Sequence, residues 1–236
     1  MYKRNPDNTD AIFAHAQSEF WIGEMHKNKE NYKQAMPHWK KYAELGKKLY
    51  ELDPLSFDWN MEHGWGVNNI ALLQTKLKDY ESAQKYYLEA INYFEAALDI
   101  SPDSALAKKE LANAFRGVSN TALKAGDKNF AKTFGERQIR LLSDLVEGSP
   151  QDIDLKYKHH RAHLNLYIVE SQLNPLVCDK IRSDSFIKDF EFFLNYEKTN
   201  YDWQFDYILN WYKLLTTCPK IYSCLLYTSP SPRDRG

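Results

Sequence analysis

The sequence predicts an all-α solenoid built from antiparallel helix pairs. Three observations predict it: a repeat with a period of 48 residues, apolar residues spaced by three and four within each period, and turn-forming residues where helices should begin or end. The composition agrees, since 43% hydrophobic and 27% charged residues are typical of a chain that folds around a core. One helix pair cannot cover its own apolar face, so we expect neighbouring pairs to stack.

Several residue types recur at the same offset of 48 positions. They are Pro6, Pro54, Pro102 and Pro150; Asn31, Asp79 and Asp127; Ala35, Ala83 and Ala131; Ile22, Ile70, Val118 and Leu166; and Gly23, Ala71 and Ser119. Because independent residue types agree on one period, the sequence predicts a tandem repeat. The small residues of the last set should let the two helices of a pair approach closely.

Each period has room for two helices of about twenty residues and two short loops. We expect the first helices near 9–28, 57–77, 104–125 and 152–172, and the second helices near 31–52, 79–100, 127–147 and 175–197. The Asn or Asp before each of the first three second helices should act as an N-cap. The periodic Pro should end each second helix, whereas Pro37 lies inside one and should kink it.

The fourth and fifth periods depart from the pattern. Asn174 and Pro175 predict an N-cap followed by Pro at the first helical position. A fifth unit begins at Asp202, and its apolar face is expected to have no partner; this face includes Trp203, Phe205, Ile208, Trp211 and Leu215. The predicted segments are 1–8, the end of a preceding repeat or a tail; 9–200, the solenoid of four helix pairs; and 201–223, a truncated fifth repeat.

The last 13 residues resemble translated adapter DNA from a sequencing library. Consecutive codons of a common transposase adapter encode residues 224–234, CLLYTSPSPRD, so 224–236 is predicted to be a non-native tail of a metagenomic fragment. Without this tail only Cys178 and Cys218 remain, which is too few for a disulfide framework. The cysteine content therefore favours reduced thiols and a cytoplasmic location.

Two stretches resemble the tetratricopeptide repeat. In both, a large apolar residue precedes a small one, an aromatic residue follows nine positions later, and an Ala follows three beyond that. The matching residues are Ile22, Gly23, Tyr32 and Ala35, and then Ile70, Ala71, Tyr80 and Ala83. The resemblance covers roughly 9–200, although the period of 48 exceeds the 34 residues of the ordinary repeat and is similar to long arrays in large bacterial proteins. It implies a right-handed superhelix with a concave groove.

The resemblance also implies that the first helix of each pair lines this groove. Carrying the register over gives ten candidate peptide-binding residues: Phe20, Glu24, Trp65, Asn68, Asn69, Asn113, Arg116, Asn120, Arg161 and Asn165. Asn amides suit the backbone of an extended peptide, and Arg can hold a carboxylate through two hydrogen bonds. The family's clamp for C-terminal carboxylates needs Lys and Asn in the first unit, where this chain has Phe20 and Glu24, so this kind of ligand is not expected.

Other function classes lack support in the sequence. A net charge of −1 gives no basic surface for nucleic acid, and no apolar run is long enough to cross a membrane. The chain has no phosphate-binding loop, dinucleotide-binding motif or nucleophile elbow. His159 and His163 are four residues apart on a predicted helix, but no third metal ligand is evident. We therefore predict no catalytic residue, no metal and no cofactor.

The predicted function is a non-catalytic scaffold or adaptor that binds a protein or an extended peptide in the concave groove. Two alternatives remain open. In the first, the array is a regulatory or sensor module of a larger bacterial protein, such as a kinase or a transcription regulator. In the second, it is a self-association module that uses the truncated C-terminal repeat.

Overall fold

The computed structural model describes residues 8–219, apart from the side chain of residue 181. All regular secondary structure in this range is helical, as the sequence predicts. The chain divides after Gly148 into two compact units: unit 1 contains the first six described helices, and unit 2 contains the next three. None of the described helices is long and apolar enough to cross a membrane. The predicted segments 1–7, 220–223 and 224–236 lie outside the described residues.

Unit 1 consists of three helix pairs with the predicted 48-residue spacing. The pairs are α1 (Thr9–Asn28) and α2 (Tyr32–Leu52), α3 (Phe57–Lys76) and α4 (Tyr80–Ile100), and α5 (Ala105–Ala125) and α6 (Lys128–Gly148). Each second helix contacts its own first helix, and α2 and α4 also contact the first helix of the next pair. Unit 1 is therefore an α-solenoid of stacked pairs. Pro37 lies within α2, which continues through it to Leu52.

Side chains cap most helices of unit 1. Asp79 accepts a hydrogen bond from the Ser82 N–H at 3.2 Å, and Asp127 accepts one from the Phe130 N–H at 3.0 Å. These two predicted N-caps are confirmed. Asn31 precedes α2 as predicted, but its side chain makes no capping hydrogen bond, so that part of the prediction is wrong. At the start of α2, the N–H groups of Gln34 and Ala35 donate hydrogen bonds to the Asn31 carbonyl and close the first turn of the helix.

Small residues let the helices of a pair approach closely in unit 1. A Cβ atom added to Gly23 would lie 2.3 Å from Cδ1 of Trp39, a ring that is fully buried. At the equivalent position of the third repeat, the Ser119 hydroxyl donates a hydrogen bond to the Ala131 carbonyl at 2.8 Å. Ala71, between them in sequence, is also fully buried. A larger side chain at these positions would separate the pair or displace its partner.

Unit 2 contains α7 (Ile153–Leu173), a 3₁₀ turn (Pro175–Val177), α8 (Lys180–Tyr196) and α9 (Tyr201–Thr217). The predicted helix start at 175 is wrong. Asn174 caps the 3₁₀ turn instead, by accepting a hydrogen bond from the Leu176 N–H at 3.0 Å. The α-helix resumes only at Lys180.

An aromatic cluster forms the core of unit 2. Tyr157 stacks on Trp203 at a centroid distance of 4.6 Å and meets Phe190 and Phe193 edge-on. The prediction that the apolar face of the fifth unit lacks a partner is wrong for Trp203, which is only 7% exposed, and for Trp211 and Leu215, which are partly buried against the same core. Phe205 and Ile208 do lie exposed on α9, as predicted. The fifth unit thus packs with one face and leaves the other uncovered.

A disulfide joins Cys178 and Cys218, with the two Cα atoms 5.7 Å apart. The expectation of reduced thiols is therefore wrong for these two residues. They lie 40 positions apart in sequence, one just before α8 and the other just after α9. Folding of unit 2 brings these two ends together, which a count of cysteines does not reveal.

Candidate functional site

Two adjoining pockets lie on unit 1, and together they are called the unit 1 groove below. The first has a volume of about 360 Å³ and the second about 320 Å³. Side chains of the first helices α1, α3 and α5 form most of the walls, and α3 contacts α5 directly. Asn68 and Glu110 line both pockets, so the two cavities share a wall.

The first pocket combines aromatic rings with carboxylates and amides. Its lining residues are Gln17, Phe20, Tyr42, Glu62, Trp65, Asn68, Asn69 and Glu110. Phe20 and Tyr42 pack against each other with ring centroids 5.4 Å apart. Tyr42 comes from α2 and reaches the groove from behind the first helices, because its own helix packs against α1 and α3. The pocket therefore has an apolar wall with acidic and amide groups beside it.

Glu62 is the most buried charged group of the first pocket, at 3% exposure. Its Oε1 accepts a hydrogen bond from Gln17 Nε2 at 2.6 Å, and the Tyr42 hydroxyl donates a second one. Burial raises the pKa of the Glu62 carboxyl above its ordinary value, and these two hydrogen bonds oppose part of the shift. Burial and the neighbouring carboxylate also raise the pKa of Tyr42. The phenol is therefore a permanent donor at neutral pH.

The second pocket is rich in amides. Its lining residues are Asn68, Leu72, Thr75, Tyr87, Glu110, Asn113, Arg116, Gly117 and Asn120. Gly117 leaves room for the Tyr87 ring, since a Cβ atom at this glycine would lie 2.5 Å from the ring. Arg116 supplies the positive charge of this wall. Amide donors and acceptors next to a cationic group suit a peptide backbone and polar side chains.

The amide of Asn68 lies between the two pockets. Its Oδ1 is buried and accepts no hydrogen bond from any described residue. Buried polar atoms are nearly always paired, and an unpaired acceptor costs about 1–3 kcal/mol. A ligand N–H in the groove would satisfy it.

The structure brings seven of the ten predicted binding residues into the unit 1 groove. They are Phe20, Trp65, Asn68, Asn69, Asn113, Arg116 and Asn120. Glu24 instead forms an ion pair with Lys27 at 2.5 Å and lines neither pocket. The role of all these residues in binding stays a prediction.

The remaining two predicted residues belong to unit 2. Arg161 pairs with Asp206 of α9 at 2.5 Å, and the Tyr157 hydroxyl donates to the same carboxylate at 2.8 Å. Arg161 thus links two helices of unit 2. Asn165 is half-buried on α7.

Sequence reasoning missed several lining residues of the groove. Glu62 and Glu110 are 48 positions apart, so the repeat itself marked them as equivalent. Gln17 lies one turn before Phe20 on α1 and follows the same face. Tyr42 and Tyr87 belong to second helices, whereas the resemblance to the family assigned the groove to first helices. Only the packing shows that these rings extend between the first helices.

His159 and His163 form a pair in unit 2. Their Nε2 atoms are 3.1 Å apart, and burial lowers the pKa of both imidazoles. Both rings are therefore neutral at pH 7, and one N–H donates to the other nitrogen. Among the described residues no group of three or more His, Cys, Asp or Glu side chains is arranged to hold a metal ion.

The match to one family model supports a helical repeat protein. The family model described as tetratricopeptide repeat matches residues 67–93, from the second half of α3 into α4. No curated protein sequence matches the chain. Among solved structures, the crystal structure of BtubC (BKLC) from P. vanneervenii is similar with a TM-score of 0.40 and 17% identity, over 98% of this chain and 88% of that one. The matched segment 67–93 contains the second copy of the predicted motif and five groove residues, Asn68, Asn69, Leu72, Thr75 and Tyr87.

Proposed function

We propose that this chain, a helical repeat protein of the tetratricopeptide type, binds an extended segment of another protein in the unit 1 groove. Proteins of this type are generally interaction scaffolds. The observation that carries the proposal is the pair of adjoining pockets with a shared, unsatisfied amide at Asn68. Two pockets side by side suit successive side chains of one peptide, while amides along the wall suit its backbone.

The test is selection of peptides from a random displayed library against the full chain, followed by fluorescence polarisation. The variant Asn69→Ala with Asn113→Ala removes one amide from each pocket and should weaken the selected peptide about tenfold or more. The matched control is Asn92→Ala with Asn129→Ala, because both of these residues are exposed on second helices. Helical circular dichroism should be unchanged in both variants. Equal affinity in the pocket and control variants, or no selected peptide, would refute binding in this groove.

A second candidate function is self-association through unit 2. Four large side chains lie on one face of α9 with spacings of four, three and four: Tyr201, Phe205, Ile208 and Tyr212, each between 64% and 77% exposed. An apolar face of this size is typical of an interaction site. Light scattering should then show a mass that rises with concentration, and Phe205→Glu with Ile208→Glu should abolish the rise. A wild-type chain that stays monomeric at every concentration contradicts this candidate.

The third reading, a regulatory module within a larger bacterial protein, stays a prediction.

A further inference from the structure

We propose that the first pocket of the unit 1 groove accepts the cationic side chain of a Lys or Arg residue in the bound segment. This inference rests on the proposed function and adds the chemistry of one anchoring residue. It is carried by the charge of the pocket, by a buried carboxylate without a counter-charge, and by three aromatic rings in the same wall.

The lining of the first pocket contains acidic side chains and no basic ones. Glu62 and Glu110 contribute carboxylates, and none of the lining residues is Lys, Arg or His. The remaining polar lining consists of amides and one phenol. The second pocket shares Glu110 and adds the positive charge of Arg116. Only the first pocket therefore has a charged lining that is exclusively acidic.

Glu62 lacks a cationic partner among the described residues. Its hydrogen bonds come from the neutral groups of Gln17 and Tyr42, and it forms no ion pair. A carboxylate at 3% exposure without a counter-charge is unfavourable, because burial removes the water that would solvate it. An incoming ammonium or guanidinium group would supply the missing charge.

The aromatic side chains of the pocket favour the same ligand. Phe20, Tyr42 and Trp65 line it together, and the first two are already in contact at 5.4 Å. Aromatic faces attract cations through their quadrupole, most strongly for the indole ring, and they also pack against the methylene chain of Lys or Arg. Rings alone would also accept an apolar side chain. Such a residue, however, would leave Glu62 buried and unpaired.

Anionic ligands fit the first pocket poorly. A carboxylate or phosphate there would face Glu62 and Glu110, and like charges in a partly buried site repel. The pocket also offers no basic side chain to compensate. A cation is therefore the charged ligand that this wall selects.

The raised pKa of Glu62 adds a second signature. Its causes are burial first and, among charges, the nearby Asp58. Gln17 of α1 and Tyr42 of α2 donate hydrogen bonds to this carboxyl, Asp58 of α3 lies near enough to act on it, and Glu110 of α5 lines the same pocket. A bound cation favours the ionised carboxyl, so binding should release protons and affinity should rise with pH until Glu62 is fully ionised.

The test compares peptides that differ only in charge. The probe is the tightest peptide selected against the full chain, synthesised with Lys or with acetyl-lysine, or with Arg or citrulline, at each basic position. At one position, removal of the charge should weaken binding at least tenfold. Glu62→Gln should reduce that difference to less than twofold, whereas Glu81→Gln should retain it. Glu81 is the matched control because it is an exposed carboxylate on α4 with the same change of net charge.

The outcomes separate this inference from the proposed function. Tight binding of peptides without any preference for a basic residue would overturn the cation pocket and leave the proposed function standing. No peptide binding at all would remove both. n-Butylammonium binding as tightly as the whole peptide would overturn the assignment to a peptide side chain. If Glu62→Gln loses its helical circular dichroism, Phe20→Leu is the second variant. It should reduce the affinity difference between the charged and uncharged peptides, but less than Glu62→Gln is expected to do.

Discussion

The first and fourth repeats use the same space with the sizes of two side chains exchanged. In unit 1, Gly23 faces the large ring of Trp39. The positions three periods later, in unit 2, are Tyr167 and Ser183, and here the first helix supplies the large ring and the second helix the small residue. The Tyr167 and Ser183 oxygens are 2.9 Å apart, and both residues are fully buried. In these two repeats the large ring therefore comes from opposite helices of the pair.

This exchange accompanies a different start of the second helix. In unit 1 the second helices begin at 32, 80 and 128, so the period would place the next start at 176. The Tyr167 hydroxyl instead accepts the Asp179 N–H at 2.8 Å, and the helix begins at 180. The intervening segment forms the 3₁₀ turn. Unit 2 thus holds its displaced helix start with a phenol hydrogen bond and joins α8 to α9 with a disulfide, whereas the pairs of unit 1 keep the regular spacing of 48 residues.

The largest effect should come from Tyr167→Ala. Loss of a fully buried ring together with its hydrogen bonds should cost unit 2 about 3–5 kcal/mol of unfolding free energy. Hydrogen exchange read by mass spectrometry measures this cost in α7 and α8 separately from unit 1. Tyr196→Ala is the matched control, since Tyr196 is 62% exposed on α8 and should change stability by less than about 0.5 kcal/mol. Equal protection in both variants would show that the ring does not organise unit 2.

Reduction of the disulfide should have the next largest effect. The bond closes a loop with a sequence separation of 40, so reduction should lower the stability of unit 2 by roughly 2–4 kcal/mol. Thermal melting and hydrogen exchange with and without dithiothreitol measure the change. Unit 1 contains no cysteine and serves as the internal control. Cys178→Ser should melt like the reduced protein, and dithiothreitol should not change its melting temperature. Identical melting of the oxidised and reduced wild type would contradict a stabilising role of the disulfide.

Acid should destabilise unit 1 through His63. Burial lowers the pKa of this imidazole to about 4, while its Nδ1–H donates to the Ala43 carbonyl at 3.1 Å. The unfolded chain binds the proton more tightly than the folded chain does. The contribution of neutral His63 to the free energy of unfolding is therefore fully present above about pH 6.5, and about 3 kcal/mol of it is lost as the pH falls toward 4.

Urea titrations of wild type and His63→Gln at several pH values isolate this contribution. The variant keeps a hydrogen-bond donor but cannot bind a proton in this range. Stability should therefore fall less steeply in the variant between pH 6.5 and 4. Parallel curves for the two proteins would assign the acid sensitivity to other groups.

The smallest effect should come from Ala71→Leu in unit 1. Ala71 is fully buried between the helices of its pair, so added volume should cost about 1–3 kcal/mol through overpacking. Hydrogen exchange in α3 and α4 is the readout. Ala14→Leu, at an exposed position of α1, is the matched control and should be nearly neutral. A neutral Ala71→Leu would mean that the pair can relax as the fourth repeat does.

Local sequence determined the helices of unit 1 and their order. The amphipathic spacing and the caps at Asp79 and Asp127 are short-range signals that act within one helix or one turn, and the 48-residue period repeats them along the chain. They placed all six helices of unit 1 within a residue or two of their observed bounds. The resemblance to the tetratricopeptide repeat then indicated which helices line the groove.

Only the tertiary structure decided the chemistry of the groove and the construction of unit 2. The first pocket is acidic because Glu62 of α3 and Glu110 of α5 line one cavity, together with Gln17 of α1 and Tyr42 of α2. The spacing of these residues along the sequence does not reveal which of them are buried. The pairing of Cys178 with Cys218 and the exchange between Tyr167 and Ser183 likewise depend on distances between separate helices. The periodicity of the sequence predicts which face of a helix is buried. How buried side chains fit together, and whether a buried charge has a partner, depends on the contacts between several helices.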